Sequence, residues 1–202
     1  MVGKVDSNSR NLPALINNVL DISRIEADQI VVELSMFPVG PLVREVLDEL
    51  ETVIVASTVP VRSDILDDLP LLRSDRQKVK QVLVNLLSNS LKFTTQGAIR
   101  IEASLDPDRG PWRIAVHDTG VGIAQADRER IFEGFEQAGP AGAVSAGTGL
   151  GLAISRRLAR LLGGDVEVAS AVGTGSTFVL TLPLEPQMLL APEVTATRAL
   201  AG

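Results

Sequence analysis

The sequence predicts an α+β fold, with strands and helices taking turns along the chain and neighbouring strands pairing as hairpins. Three observations carry this. Residues Ala98–Leu105 and Trp112–Asp118 read as strands joined by the turn-rich DPDRG, as a hairpin requires. Apolar residues recur at helical spacing from about Asp75 to Phe93 and again from Leu150 to Leu162. Two further strands, Val166–Ser170 and Thr177–Leu184, are separated by the turn AVGTGS.

In chain order, residues 11–30 place Leu12, Leu15, Val19 and Ile22 at alternating spacings of three and four, a short helical seam. The seam either lies on its own domain or associates with other helices. The second reading is preferred, because the segment precedes the globular pattern and has no strand signals of its own. A further helix is readable from Pro41, a residue suited to a first turn, with Leu42, Val43, Val46, Leu47 and Leu50 at helical spacing. It ends before Pro60. Val61–Leu66 and Leu71–Arg73 follow as short strands, then the helix from Asp75 and the hairpin. Residues 124–137 are expected to form a short helix, and 138–148 (AGPAGAVSAGT) a small-residue loop too poor in large apolar groups to pack firmly. The tail from Gln187 to Gly202 carries no pattern and is expected to fray. The organisation expected is therefore a helix within 1–30, one principal domain over 31–186 and a disordered tail over 187–202.

Composition narrows the function. A chain of 202 residues with 45% hydrophobic content can bury one good core plus an appendage. Its net charge of −6 and lack of basic runs argue against a nucleic-acid partner, whose phosphates need clustered Lys and Arg. The absence of cysteine excludes disulfides, thiol catalysis and thiolate zinc, and one histidine excludes a histidine-rich metal site. Magnesium, which takes oxygen ligands, stays open. No apolar run reaches the ~20 residues that span a bilayer, and MVGKVDSNSR lacks the apolar stretch of a secretion signal. The chain is expected to be cytoplasmic, with membrane attachment of a longer parent left open.

The chemistry gathers at three places. On the helix from Asp75, residues Asn85, Asn89 and Lys92 fall within an arc of roughly 60° beside the apolar stripe of Val79, Val82, Leu83, Leu86 and Leu87. Amide oxygens there can ligate a hard cation and the lysine can meet phosphate, or all three are ordinary solvated residues. On the strand Trp112–Asp118, period-two alternation puts Asp118 on the inward face with Trp112, Ile114 and Val116. A carboxylate there must receive hydrogen bonds, and the exocyclic amino group of adenine is a suitable donor. It could equally cap its turn or bind a structural cation. Gly120 and Gly122 permit positive φ and close backbone approach. His117, of opposite parity, faces outward. Finally, GTGLG at Gly147–Gly151 feeds directly into a helix, whose first-turn N–H groups can cradle phosphate.

Taken together, NLLSNSLKFT, DTGVGI, IFEGFEQ, GTGLGLAISRRLARLLGG and GTGSTF resemble the asparagine box, first glycine box, phenylalanine box and second and third glycine boxes of sensor histidine kinases, in that family's order. The resemblance runs from about Leu12 to Leu184. It implies the Bergerat-type ATP-binding fold shared with DNA gyrase, the MutL repair proteins and a heat-shock chaperone. That fold is a two-layer α/β sandwich, with a mixed, mostly antiparallel sheet packed on helices and here preceded by an amino-terminal helix.

Carried box by box, the resemblance implies ATP and Mg2+ as cofactors, with Asn89 ligating magnesium, Asn85 assisting and Lys92 contacting phosphate. Phe93, Gly120, Gly122 and Ile123 would shape the base pocket around Asp118. Phe132 and Phe135 would anchor a lid, and Gly147, Thr148, Gly149, Leu150 and Gly151 would close over the phosphates. Thr177 would complete the adenine site through water, although strand parity groups it with Val179 and Thr181. Gly134 replaces the proline usual between the two lid phenylalanines. Hydrolytic relatives carry a glutamate one turn before the magnesium asparagine, where this chain has Asn85, and an amide cannot serve as that base.

The segment LPALINNVLDISRIEAD resembles only the second helix of the family's dimerisation bundle. The phospho-accepting histidine of the first helix is missing, so this chain is not expected to phosphorylate itself. Its expected partners are ATP, a phosphoacceptor helix, a response regulator and a second copy of a full-length parent. A serine kinase of the anti-sigma-factor type, or a nucleotide-binding regulatory module, is the alternative.

Overall fold

A computed structural model of the chain describes residues 31–66, 68–105, 110–134 and 149–185. The helix expected within 11–30, the DPDRG turn, the 138–148 loop and the tail after Gln187 lie outside the described residues, as do the domain limits drawn from them.

The chain enters through a short strand, β1 (Ser35–Phe37), that pairs antiparallel with β3 (Leu72–Ser74). This strand has no counterpart in the sequence reading, because three residues with only Phe37 buried show no period. Helix α1 (Val39–Glu49) follows Pro38, so Pro41 falls in its first turn, where a missing N–H costs nothing. It buries Val39, Leu42, Val43 and Val46, breaks at Leu50 and gives way to a one-and-a-half-turn helix α2 (Glu51–Ala56).

Five strands make the main sheet. These are β2 (Val61–Ile65), β4 (Ile99–Leu105), β5 (Trp112–Asp118), β6 (Asp165–Ala171) and β7 (Gly175–Leu182), in the spatial order β2-β4-β5-β7-β6. Only β2 and β4 run parallel; the other pairs are antiparallel. The sheet is therefore mixed and mostly antiparallel, as expected. Helices α3 (Arg76–Phe93) and α4 (Gly151–Leu161) cover one face and pack on each other. Ile101, Trp112, Ile114, Val116, Phe178, Leu180 and Leu182 meet Val82, Leu83, Leu86, Leu87, Ile154 and Leu158 in one continuous core. Full burial of each such side chain stabilises the fold by about 1.5–3 kcal/mol.

One cap and two ionic ties set the position of α3. The Asp75 side chain accepts from Gln77 N and Lys78 N, each at 3.1 Å, which starts the helix at Arg76. Glu45 on α1 receives Arg76 at 2.5 Å and Lys80 at 2.7 Å, and these bonds hold its carboxyl down to a pKa of about 2.

Of the segment expected as a helix over 124–137, the described part, 124–134, forms instead two turns of 3-10 helix, Gln125–Asp127 and Arg130–Phe132. Its amides bond three residues back, Phe132 N to Glu129 O at 3.1 Å and Glu133 N to Arg130 O at 2.9 Å. Side-chain ties out of the segment fix this path: Arg128 donates to the Ser170 carbonyl, and Arg156 reaches Glu129 at 2.8 Å. Among the described residues, no helix is long and apolar enough to cross a membrane.

Candidate nucleotide site

One end of the covered sheet face is polar, and strand register explains how. Asp118 on β5 stands opposite Ser176 on β7, which stands opposite Ser170 on β6. All three side chains are buried, at 8–9% exposure, in a face otherwise apolar. Asp118 Oδ1 accepts from Gly120 N at 2.9 Å and Ser176 N at 3.2 Å. Among the described residues its Oδ2 accepts only from the Ser90 hydroxyl of α3, at 3.3 Å. A carboxylate oxygen can take two donors, so Oδ2 keeps an acceptor site for a further N–H. Asp118 thus caps its own turn and also retains capacity for a base.

The glycines around it are required by backbone packing. A Cβ on Gly120 would lie 2.4 Å from the Phe93 carbonyl oxygen, and one on Gly175, whose φ is +102°, would lie 2.0 Å from the Asp118 carbonyl oxygen. The DTGVG turn is pressed against the end of α3 on one side and the β6–β7 turn on the other. Val121 N bonds Phe93 O at 3.3 Å and Gly173 N bonds Val121 O at 2.8 Å. Ile123, half-buried beside the core, donates its N–H to Ser170 Oγ at 2.8 Å. Ser90, Ser170 and Ser176 were not among the residues singled out from sequence. Ser176 carried a usable signal, since it lies two residues before the inward Phe178, and Ser90 interrupts an apolar stripe.

Thr177 is placed otherwise than the box correspondence implied. It pairs with His117 on the face opposite α3 and α4, where His117 Nδ1 lies 3.0 Å from Thr177 Oγ1 and His117 Nε2 lies 2.9 Å from Glu102 Oε2. The two-residue period of β7 forces this, because Phe178 and Ser176 take the inward sides. Ser176 occupies the position beside Asp118 assigned to Thr177. His117 faces outward, as its parity required.

Asn85 and Asn89 lie half-buried on α3, Asn85 toward α4, and Lys92 is exposed near the helix end. Asn85 Nδ2 donates to the Gly151 carbonyl and to Ser155 Oγ, both at 3.3 Å. Lys92 holds its ammonium 4.6 Å from the Phe93 ring centroid, and desolvation by the surrounding chain pushes its pKa below the ordinary lysine value. Phe93 itself is half-buried, its carbonyl against Gly120.

Helix α4 starts at Gly151 with no side-chain cap among the described residues, after Gly149 at φ +69°. No side chain among the described residues takes its first-turn N–H groups, which suit an anionic ligand. Leu150 is fully buried, so its backbone alone could meet a phosphate. Phe132 stacks under the Arg156 guanidinium at 4.6 Å and packs against the core. Phe135, Gly147 and Thr148 lie outside the described residues. The structure thus brings Asp118, Phe93, Gly120, Gly122 and Ile123 to one end of α3, and Asn85 to the start of α4.

Residues 74–186 match the family described as histidine kinase-, DNA gyrase B-, and HSP90-like ATPase. The chain belongs to that family. It carries the family's ATP-binding catalytic module, and the expected two-layer sandwich is the fold of its structural neighbours. The sensor protein GacS of Pseudomonas syringae pv. syringae is 36% identical over 188 residues, which cover 91% of this chain and 21% of that protein. Full-length ShkA in complex with AMPPNP superposes with a TM-score of 0.77 at 33% identity, covering 86% of this chain and 36% of that one. The histidine kinase ThkA in complex with the response regulator protein TrrA gives 0.70 at 25% identity, covering 88% and 49%. The chain spans about a fifth of the length of curated relatives such as GacS.

Proposed function

We propose that this chain is the catalytic domain of a sensor histidine kinase, transferring the γ-phosphate of ATP to a histidine on another segment or chain. The observation that carries the proposal is the pairing of Asn85 and Asn89 one helical turn apart on α3, with Asn85 bonded to the first residue of α4, whose start has no side-chain cap among the described residues. A carboxylate at position 85 would activate water. An amide cannot, so ATP held here is spared hydrolysis until an acceptor side chain arrives.

The residues fit the nucleotide. Asp118 Oδ2 would accept the adenine amino group, with Phe93 and Ile123 beside the ring. Gly149–Gly151 and the first turn of α4 would meet the phosphates, joined by Lys92. Asn89, half-buried and without a side-chain hydrogen bond among the described residues, would ligate magnesium through its amide oxygen, and Asn85 would assist. Magnesium, when bound, supplies charge neutralisation at the phosphates. The chain's own part is to hold the base, align the phosphates and withhold a base from water. His117, the single histidine, is tied to Glu102 and Thr177 on the sheet face opposite α3 and α4, so the acceptor comes from elsewhere. A response regulator, as in the ThkA complex, would take the phosphate onward, and a second copy of the parent would supply or receive the acceptor helix.

The test is transfer from γ-labelled ATP to a separately made histidine-bearing dimerisation helix. The product is expected to be acid-labile, to require magnesium and to vanish with Asn89→Ala while the fold persists. Acid-stable label on serine would replace this reading with a serine kinase.

A further inference from the structure

Asn85 does not stand free in the site. Its Nδ2 faces two acceptors, the Gly151 carbonyl and Ser155 Oγ, each at 3.3 Å. Ser155 is completely buried, and its hydroxyl donates to the Gly151 carbonyl at 2.8 Å, one turn back along α4. A hydroxyl has one proton. With that proton committed to Gly151, Ser155 can offer Asn85 only a lone pair. Two acceptors on one side of a planar amide require the NH2 there, and the carbonyl oxygen must then point away from them.

Gly151 supplies an independent observation. It has no positive φ, and a Cβ built there meets nothing closer than 3.7 Å, so neither backbone conformation nor packing demands glycine. Glycine inside a helix costs about 1 kcal/mol relative to alanine. The atoms that a methyl would touch are Asn85 Cγ and Oδ1, both at 3.7 Å. The missing side chain therefore leaves the amide oxygen uncovered.

We infer that Ser155 is a positioning residue that fixes which way round the Asn85 amide stands, so that Oδ1 rather than Nδ2 is presented to magnesium. The inference rests on the magnesium–ATP reading above. Ser155 touches no reacting atom; it acts through Asn85, and the same contact joins α3 to the first turn of α4. Removal of its hydroxyl leaves the Asn85 NH2 held by the Gly151 carbonyl alone, at 3.3 Å, which weakens the preference for the orientation that presents oxygen to the cation.

The experiment measures ATP binding by calorimetry, with magnesium and with EDTA, for the unaltered chain, Ser155→Ala, Asn85→Ala and the double variant. Ser155→Ala should fold, because the Asn85 NH2 still has the Gly151 carbonyl. Its expected signature is a roughly tenfold loss of the magnesium-dependent gain in affinity, the usual scale for a residue behind a metal ligand. Affinity in EDTA should hold within about twofold, and Ser155→Ala should have no further effect once Asn85 is alanine. Equal losses with and without magnesium, or full additivity with Asn85→Ala, would overturn the inference while leaving the nucleotide reading intact. No magnesium-dependent gain in the unaltered chain would overturn both.

Discussion

The two ends of the site are built differently. At the base end, Asp118 is locked by a ladder of opposed strand positions, by a turn whose glycines leave no room for a methyl, and by bonds of 2.9 and 3.2 Å from backbone amides. At the other end, Asn85 ties α3 to the start of α4 through two bonds of 3.3 Å from one half-buried amide. The Asp118 end is thus held by backbone packing, whereas the Asn85 end depends on a few side chains that can change without unfolding the domain.

The sharpest way to break the contrast is Gly175→Ala. The added Cβ would lie 2.0 Å from a backbone oxygen at a φ of +102°, so neither rotamer change nor side-chain movement relieves it. The expected cost is about 3 kcal/mol or more of stability, read by denaturant unfolding. Loss of nucleotide binding would accompany loss of the fold. Gly151→Ala at the other end should leave stability unchanged or raised, because its contacts are ordinary.

A smaller effect is expected from Asp75→Ala at the far end of α3. Loss of the cap should cost about 1–2 kcal/mol near neutral pH without changing the choice of base. Burial alone would raise the Asp75 pKa, but hydrogen bonds from Lys78 Nζ, Glu33 N and Lys78 N outweigh it and hold the group below its ordinary 3.8. A carboxylate depressed by folding contributes stability above its unfolded pKa and loses it as pH falls through the folded value. The difference between the unaltered chain and Asp75→Ala should therefore be full above about pH 4 and shrink below it. A gap that stays constant down to acid unfolding would contradict the assignment.

The smallest effect belongs to the outer face. Thr177→Val should leave ATP affinity within about twofold, since Thr177 bonds His117 on the side away from Asp118. Ser176→Ala, which removes a buried hydroxyl 3.0 Å from Ser170 Oγ, should cost about 1 kcal/mol of stability. Thr177 behaving as the base-site residue and Ser176 as the neutral one would reverse the placement.

Much of this was legible from residue order alone, for a reason visible in particular elements. β5 alternates cleanly from Trp112 to Asp118 and α3 keeps its stripe over 18 residues, so both periods survive in the sequence. Thr177 was misplaced when a box correspondence was followed against the strand parity that already pointed it outward. The 125–132 turns read as a helix because apolar spacing does not distinguish three-residue from four-residue bonding. β1 was invisible because its pairing with β3 comes from a distant partner and its three residues carry no pattern. The bonds joining Asn85 to Ser155 span 70 positions and have no local signal.

The central claim is that Asp118 reads the amino group of adenine. Its most direct test is a calorimetric comparison of ATP with inosine triphosphate, which has a carbonyl oxygen in place of that amino group, on the unaltered chain and on Asp118→Asn. The unaltered chain should favour ATP by about 1–3 kcal/mol, and Asp118→Asn should fold normally while losing that preference. Equal affinity of the unaltered chain for the two nucleotides would contradict the account.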